Sequence, residues 1–151
     1  MLEAAVAELR GQPIHSAVDP ELTVDQPGFI PDDYVPDPGQ RLELYKRLSA
    51  IEDDDELAAV VAEISDRYGP VPGDVVQLGE LMGQKALARR LGAFTLEISA
   101  SRVAMALPDE PRIPRAALAA GWRRLADGRF ATSPPARQAL LAVLARATEQ
   151  A

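Results

Sequence analysis

The apolar residues of this 151-residue chain change their period near Gly92. Before it, Leu44, Leu48 and Ile51 recur at i, i+4, i+7. Leu57, Val60, Val61, Ile64 and Tyr68 then share one stripe, followed by Val75, Val76, Leu78, Leu81, Leu87 and Leu91. Recurrence every three to four residues is the signature of amphipathic helices. After Gly92, Phe94, Leu96 and Ile98 alternate with polar residues, and so do Val103, Met105 and Leu107. A period of two is that of a strand, and Ala100-Ser101 between the runs predicts a β-hairpin. The expected class is α+β: a mostly helical acidic lobe, then a lobe with a small antiparallel sheet and flanking helices.

The breakers set the boundaries. Residues 12–38 hold six prolines, which forbid a long helix there. Glu21-Leu22-Thr23-Val24 reads as a short edge strand, and the rest as extended chain anchored by Phe29, Ile30, Tyr34 and Val35. Asp37 followed by Pro38 predicts a capped helix start, with a helix over about 38–50 and with Leu42 and Tyr45 widening its apolar stripe. Asp53 is positioned to cap a helix over about 54–67, with Glu56 completing a capping-box-like pair. Gly69-Pro70 ends that helix, and Pro72 opens another over roughly 73–91, where Gly79 and Gly83 allow close packing. Gly92 is the expected C-cap. Pro114 opens a short helix to about 122, Asp127-Gly128 makes a turn, and residues 129–132 add a third strand. Ser133-Pro134 starts a terminal helix driven by Leu140, Leu141 and Leu144. At the other end, Leu2, Val6 and Leu9 predict a helix over 2–10, stopped by Gly11.

Charge divides the chain more sharply than its net of −7 suggests. Residues 1–75 carry 17 Asp and Glu against 5 Lys and Arg, whereas residues 76–151 carry 6 against 11. Such polarity can guide a basic partner to the first half, although an acidic half can also serve solubility alone. The absence of cysteine excludes disulfides, thiolate zinc sites, iron–sulfur clusters and a Cys nucleophile, and suits a reducing cytoplasm. His15 is the single histidine, which excludes H-E-x-x-H. Gly79–Lys85 lacks phosphate-loop spacing, and there is no G-x-S-x-G elbow. Helix capping explains Asp53–Glu56 at lower cost than a cation site. The pairs Arg89-Arg90 and Arg123-Arg124 are few and scattered for a nucleic-acid footprint. No apolar run approaches the ~20 residues of a membrane helix. These patterns describe a non-enzymatic module without a cofactor of its own. One of its helices turns Glu56, Glu63 and Asp66 away from the apolar stripe. Glu63 and Asp66 stand at i, i+3, so both carboxylates can address one external group.

Three ordered stretches are distinctive: Ile30-Pro31-Asp32-Asp33-Tyr34-Val35-Pro36-Asp37, Arg41-Leu42-Glu43-Leu44-Tyr45-Lys46-Arg47-Leu48, and Glu63-Ile64-Ser65-Asp66-Arg67-Tyr68-Gly69-Pro70-Val71-Pro72. In this order and spacing they resemble the C-terminal domain of the bacterial transcription-repair coupling factor, Mfd. The specific part spans roughly residues 21–92. On this resemblance residues 1–11 read as the tail of a preceding translocase module, 12–92 as the acidic lobe and 93–151 as the α+β lobe, together one regulatory domain. The resemblance implies a non-catalytic, cytoplasmic clamp. It would pack on the N-terminal UvrB-like module of the same protein, cover its UvrA-binding surface and restrain a motor that displaces stalled RNA polymerase from DNA. ATP and Mg would bind elsewhere in the parent. The E-x-x-D positions, Glu63 and Asp66, would face arginines of that module; Glu56 and Arg67, on the same helix, are secondary candidates for a supporting contact. Arg41 and Arg67 are expected to pair internally with acids such as Asp37 or Glu63 rather than with the partner. An Arg67–Glu63 pair would leave the contact resting more on Asp66. Tyr34, Leu42, Tyr45 and Tyr68 are expected in the core. The resemblance assigns no role to residues 94–151. The alternative reading is a nucleic-acid or RNA polymerase contact module using the basic second half.

Overall fold

Three helices carry the first half. They are α1 (Pro38–Ser49), α2 (Asp54–Tyr68) and α3 (Gly73–Arg90). The structure, a computed structural model, describes residues 19–149. The expected helix over 2–10, the tail reading of 1–11 and His15 lie outside them. Two compact units divide the described residues: Val24–Leu87, and residues 19–23 with 88–149.

In the Val24–Leu87 unit the caps form as their sequence predicts. The Asp37 carboxylate accepts the Gln40 N–H at 3.0 Å, with Pro38 opening α1. Asp53 accepts the Glu56 N–H at 2.8 Å. Glu56 reaches back to the Glu52 N–H at 3.0 Å, one residue earlier than in a capping box. The two N-cap bonds, to Gln40 and Glu56, each satisfy an orphan donor of the first helical turn. The core of this unit is aliphatic: Ile30, Val35, Leu44, Leu48, Ile51, Val60, Ile64, Val75, Leu78 and Leu81 are buried. A methyl group at Gly79 would sit 3.4 Å from Leu57 Cδ1 and 3.9 Å from Val61, so α2 and α3 pack closely there. Lys85 is also buried, and its Nζ donates to Ser49 Oγ at 2.8 Å.

Three apolar residues expected inside face outward. Leu42 is 56% exposed, because it lies 160° around α1 from Leu44 at 100° per residue. Val76 points off the Val75–Leu78 stripe for the same reason, and Phe29 is exposed beside the buried Ile30. The Pro31–Val35 segment is a turn rather than extended chain, since the Tyr34 and Val35 N–H groups both donate to the Pro31 carbonyl.

The other unit is built on the strands β1 (Glu21–Val24), β2 (Thr95–Ile98), β3 (Val103–Ala106), β4 (Arg123–Arg124) and β5 (Phe130–Thr132). They form one five-stranded sheet in the order β1-β2-β3-β5-β4. The hairpin is antiparallel with Leu96 opposite Met105, and Met105 opposite Phe130, so these buried side chains share one face. Helices α4 (Arg112–Ala119) and α5 (Ala136–Glu149) pack together, and the Trp122 indole N–H donates to the Ala139 carbonyl at 3.3 Å. Phe94, expected to alternate inward, is exposed. Helix α4 begins two residues before Pro114 and ends at Ala119, short of the expected 122. Helix α5 begins at Ala136, after a cis Pro134–Pro135 bond, rather than at Ser133-Pro134. Its buried face is Ala136, Leu140, Val143 and Ala147, whereas Leu141 turns outward. The α+β class, the hairpin, the third strand and the short strand at Glu21–Val24 are all present. Among the described residues no helix is long and apolar enough to cross a membrane.

The sheet carries a charge network. Glu97 on β2 accepts from Arg102 at 2.8 Å and from Arg129 at 3.2 Å, and Arg129 also bonds Asp127. The bond from Arg102 first, and that from Arg129 after it, hold the Glu97 carboxyl below its usual 4.5, against partial desolvation. A depressed carboxyl stabilises the fold above its unfolded value and loses that contribution as pH falls through the folded one. Acidification below about pH 4.5 should therefore lower the melting temperature, and Glu97→Gln should flatten that acid limb by about 2–4 °C in a thermal scan. An acid limb identical in the variant would show that Glu97 plays no part.

Candidate functional site

The distinctive motifs meet in the Val24–Leu87 unit, and most of their polar residues hold the fold. The Tyr34 hydroxyl donates to the Gly69 carbonyl at 2.6 Å, which joins the first motif to the third. The two rings of Tyr34 and Tyr68 lie 5.9 Å apart, tilted by 56°. Burial, and then the neighbouring Tyr68, push the Tyr34 hydroxyl above its usual range, so it remains a donor. The Tyr68 hydroxyl donates to Gln40 Oε1 at 2.6 Å, and the Tyr45 hydroxyl accepts the Ile30 N–H at 2.7 Å. The Arg41 guanidinium donates to the Val35 and Pro36 carbonyls, not to the Asp37 carboxylate. The tyrosines are half-buried hydrogen-bonding struts, and Leu42 is no part of the core.

What remains outward is one face of α2. Asp55, Glu56, Ala59, Ala62, Glu63 and Asp66 are all exposed, and at 100° per residue they fall within a 120° sector. The carboxylates border two small alanines, a surface that a partner backbone can approach closely. The buried Val60 and Ile64 hold the opposite side in the core. Acids dominate this unit, with fourteen Asp and Glu against five Lys and Arg, so its field favours a cationic partner.

The four predicted contact residues are not equivalent. Glu63 is paired within the unit: Arg47 of α1 donates to its Oε2. That bond, with the added charge of Arg47 and Arg67, holds the Glu63 carboxyl below its usual range. Arg67 does not bond Glu63; its guanidinium lies 5.5 Å from the Tyr68 ring centroid. Glu56 serves the start of α2. The Asp66 carboxylate makes no hydrogen bond or ion pair with any described residue. Arg47 was not singled out from the sequence. A simple antiparallel hairpin through the 50–53 link would place it near residue 56, about two helical turns from Glu63.

The basic residues of the second half are mostly engaged or dispersed. Arg89 pairs with Asp19, and Arg102 and Arg129 with Glu97. Arg123 and Arg124 form the outer strand β4, where exposed charge discourages edge-to-edge pairing, and Arg124 lies over Phe130. Among the described residues no group of three or more His, Asp or Glu is placed to hold a metal ion.

The fold is that of a transcription-repair coupling factor C-terminal domain. It is similar to the crystal structure of such a domain, with a TM-score of 0.71 over 87% of this chain and 93% of that one, at 17% identity. Among curated proteins, the transcription-repair-coupling factor of Myxococcus xanthus is 42% identical over 118 residues, which cover 75% of this chain and 10% of that protein. Those of Mycobacterium tuberculosis and Escherichia coli are each 32% identical, covering 74% and 51% of this chain and 10% and 7% of their own. The TRCF domain family matches residues 24–118, and the chain belongs to that family. It spans about a tenth of the length of the relatives it matches most extensively.

Proposed function

We propose that this chain is the non-catalytic, autoinhibitory C-terminal domain of a cytoplasmic transcription-repair coupling factor. Its α2 face clamps the N-terminal UvrB-like module of the same protein, masks that module's UvrA-binding surface and restrains ATP-driven translocation on DNA. ATP and Mg bind elsewhere in the parent, and UvrA, RNA polymerase and DNA meet this domain only through it. The observation that carries the reading is the exposed E-x-x-D pair, Glu63 and Asp66, on the outer face of a well-anchored helix, with Asp66 unpaired among the described residues. Carboxylates so placed can accept charge-assisted, bidentate bonds from arginines. Membership of the TRCF domain family supports the role in transcription-coupled nucleotide excision repair.

Changing Glu63 and Asp66 together to Ala should leave the fold intact, since both side chains are exposed. In the full-length protein the double variant should raise UvrA binding and ATP turnover, each by about fivefold or more. Calorimetric titration of this domain with the UvrB-like module should show salt-sensitive binding that the double change abolishes. Unaltered UvrA binding and turnover in the double variant would overturn the clamp.

A further inference from the structure

The two carboxylates of the proposed contact differ in one respect. Glu63 already has a guanidinium on it, and Asp66 has none among the described residues. Arg47 and Glu63 come from different helices, sixteen residues apart in the chain. Their side chains are 40% and 47% exposed, so water screens the pair and its contribution to stability is small. The core between these helices does not need it, because Leu48 and Ile64, the residues that follow each partner, are both fully buried. Helix-dipole complementation accounts for a basic residue near the end of α1, but Lys46 supplies one there already. Neither explains why Arg47 lies across α2 on an acid of the contact face.

An incoming arginine binds a carboxylate best through two parallel N–H···O bonds, one to each oxygen. Arg47 occupies Oε2 of Glu63. A partner arginine must donate to the remaining oxygen alone, share Oε2 with Arg47 and so bring a second guanidinium beside its own, or displace Arg47. Each outcome weakens that half of the contact, whereas Asp66 offers both oxygens.

We propose that Arg47 is an internal competitor for Glu63, which weakens the clamp enough for it to be released. Asp66 is then the anchor and Glu63 the adjustable half. A latch must give way when the opposing process supplies a modest free energy, and a contact with two fully available carboxylates would resist longer. The inference rests on the reading of α2 as the clamp surface, and it assigns Arg47 a role in setting affinity rather than in contact.

The test uses full-length coupling factor carrying Arg47→Ala, Glu63→Ala, Asp66→Ala, or Arg47→Ala with Glu63→Ala, with UvrA binding as the readout. Arg47→Ala should tighten the clamp and lower apparent UvrA affinity by about two- to fivefold. Asp66→Ala should raise it. Adding Arg47→Ala to Glu63→Ala should have no further effect, because the competitor then has nothing to compete for. Circular dichroism of Arg47→Ala should match that of the unaltered protein. Unchanged or raised UvrA affinity in Arg47→Ala, with Asp66→Ala still raising it, would overturn the competitor and leave the clamp standing. UvrA affinity unchanged in both Glu63→Ala and Asp66→Ala would overturn the clamp itself, and the competitor with it.

Discussion

Gly28→Ala should cost roughly 4 kcal/mol or more and leave the helical unit largely unfolded at 37 °C. Gly28 has a φ of +77°, which an alanine adopts only with strain. Its surroundings add a harder constraint. A Cβ at this position would lie 2.4 Å from the Leu78 nitrogen, 2.8 Å from the Asp74 oxygen and 2.9 Å from Leu78 Cα. All three are backbone atoms of α3, so no side chain can swing away. Next to it, the Phe29 N–H donates to the Asp74 carbonyl, and Gln77 donates to the Gln26 carbonyl at 2.7 Å. The glycine is therefore where the proline-rich segment docks on α3. Loss of helical signal in far-UV circular dichroism, well below the melting temperature of the unaltered chain, is the expected result. A melting temperature within about 3 °C of the parent would mean that the segment can lift off α3 at little cost.

Ile64→Ala should destabilise the same unit by about 3 kcal/mol, which is roughly 10 °C in a domain of this size. Ile64 is 1% exposed and adjoins Glu63 on α2. Truncation removes three buried carbons and leaves a cavity behind the helix that presents the exposed acidic face. The comparison with the Glu63/Asp66 double change is informative, because both variants alter one helix. If the clamp reading holds, Ile64→Ala shifts the melting temperature and weakens binding only as folded protein is lost. The double change does the reverse, abolishing binding at an almost unchanged melting temperature. Equal melting shifts in the two variants would mean that the acids are structural.

Much of this was legible from local chemistry. Asp37-Pro38 and Asp53 announced helix starts because an N-cap bond involves residues only three apart. The switch from period three-and-a-half to period two located the hairpin, and Leu96 and Met105 do face one another. The exposed face of α2 followed from the position of its core stripe alone. On the helices, misplaced residues arise where an apolar side chain is read as inward on chemistry against its helical angle. Leu42 and Leu141 both lie off the stripe defined by their buried neighbours.

The sequence by itself determined the order of helices and strands, the acidic bias of the first half, and the placement of Glu63 and Asp66 opposite the buried stripe. These depend on spacings of two to four residues, within which backbone geometry allows few alternatives. The tertiary structure alone decided that Gly28 must press on the backbone of α3, that Tyr34 would bond the carbonyl of Gly69, and that Arg47 would reach Glu63. Each joins residues that are sixteen or more positions apart. Such pairings depend on how helices cross, and crossing is set by the fit of many side chains at once rather than by any local signal.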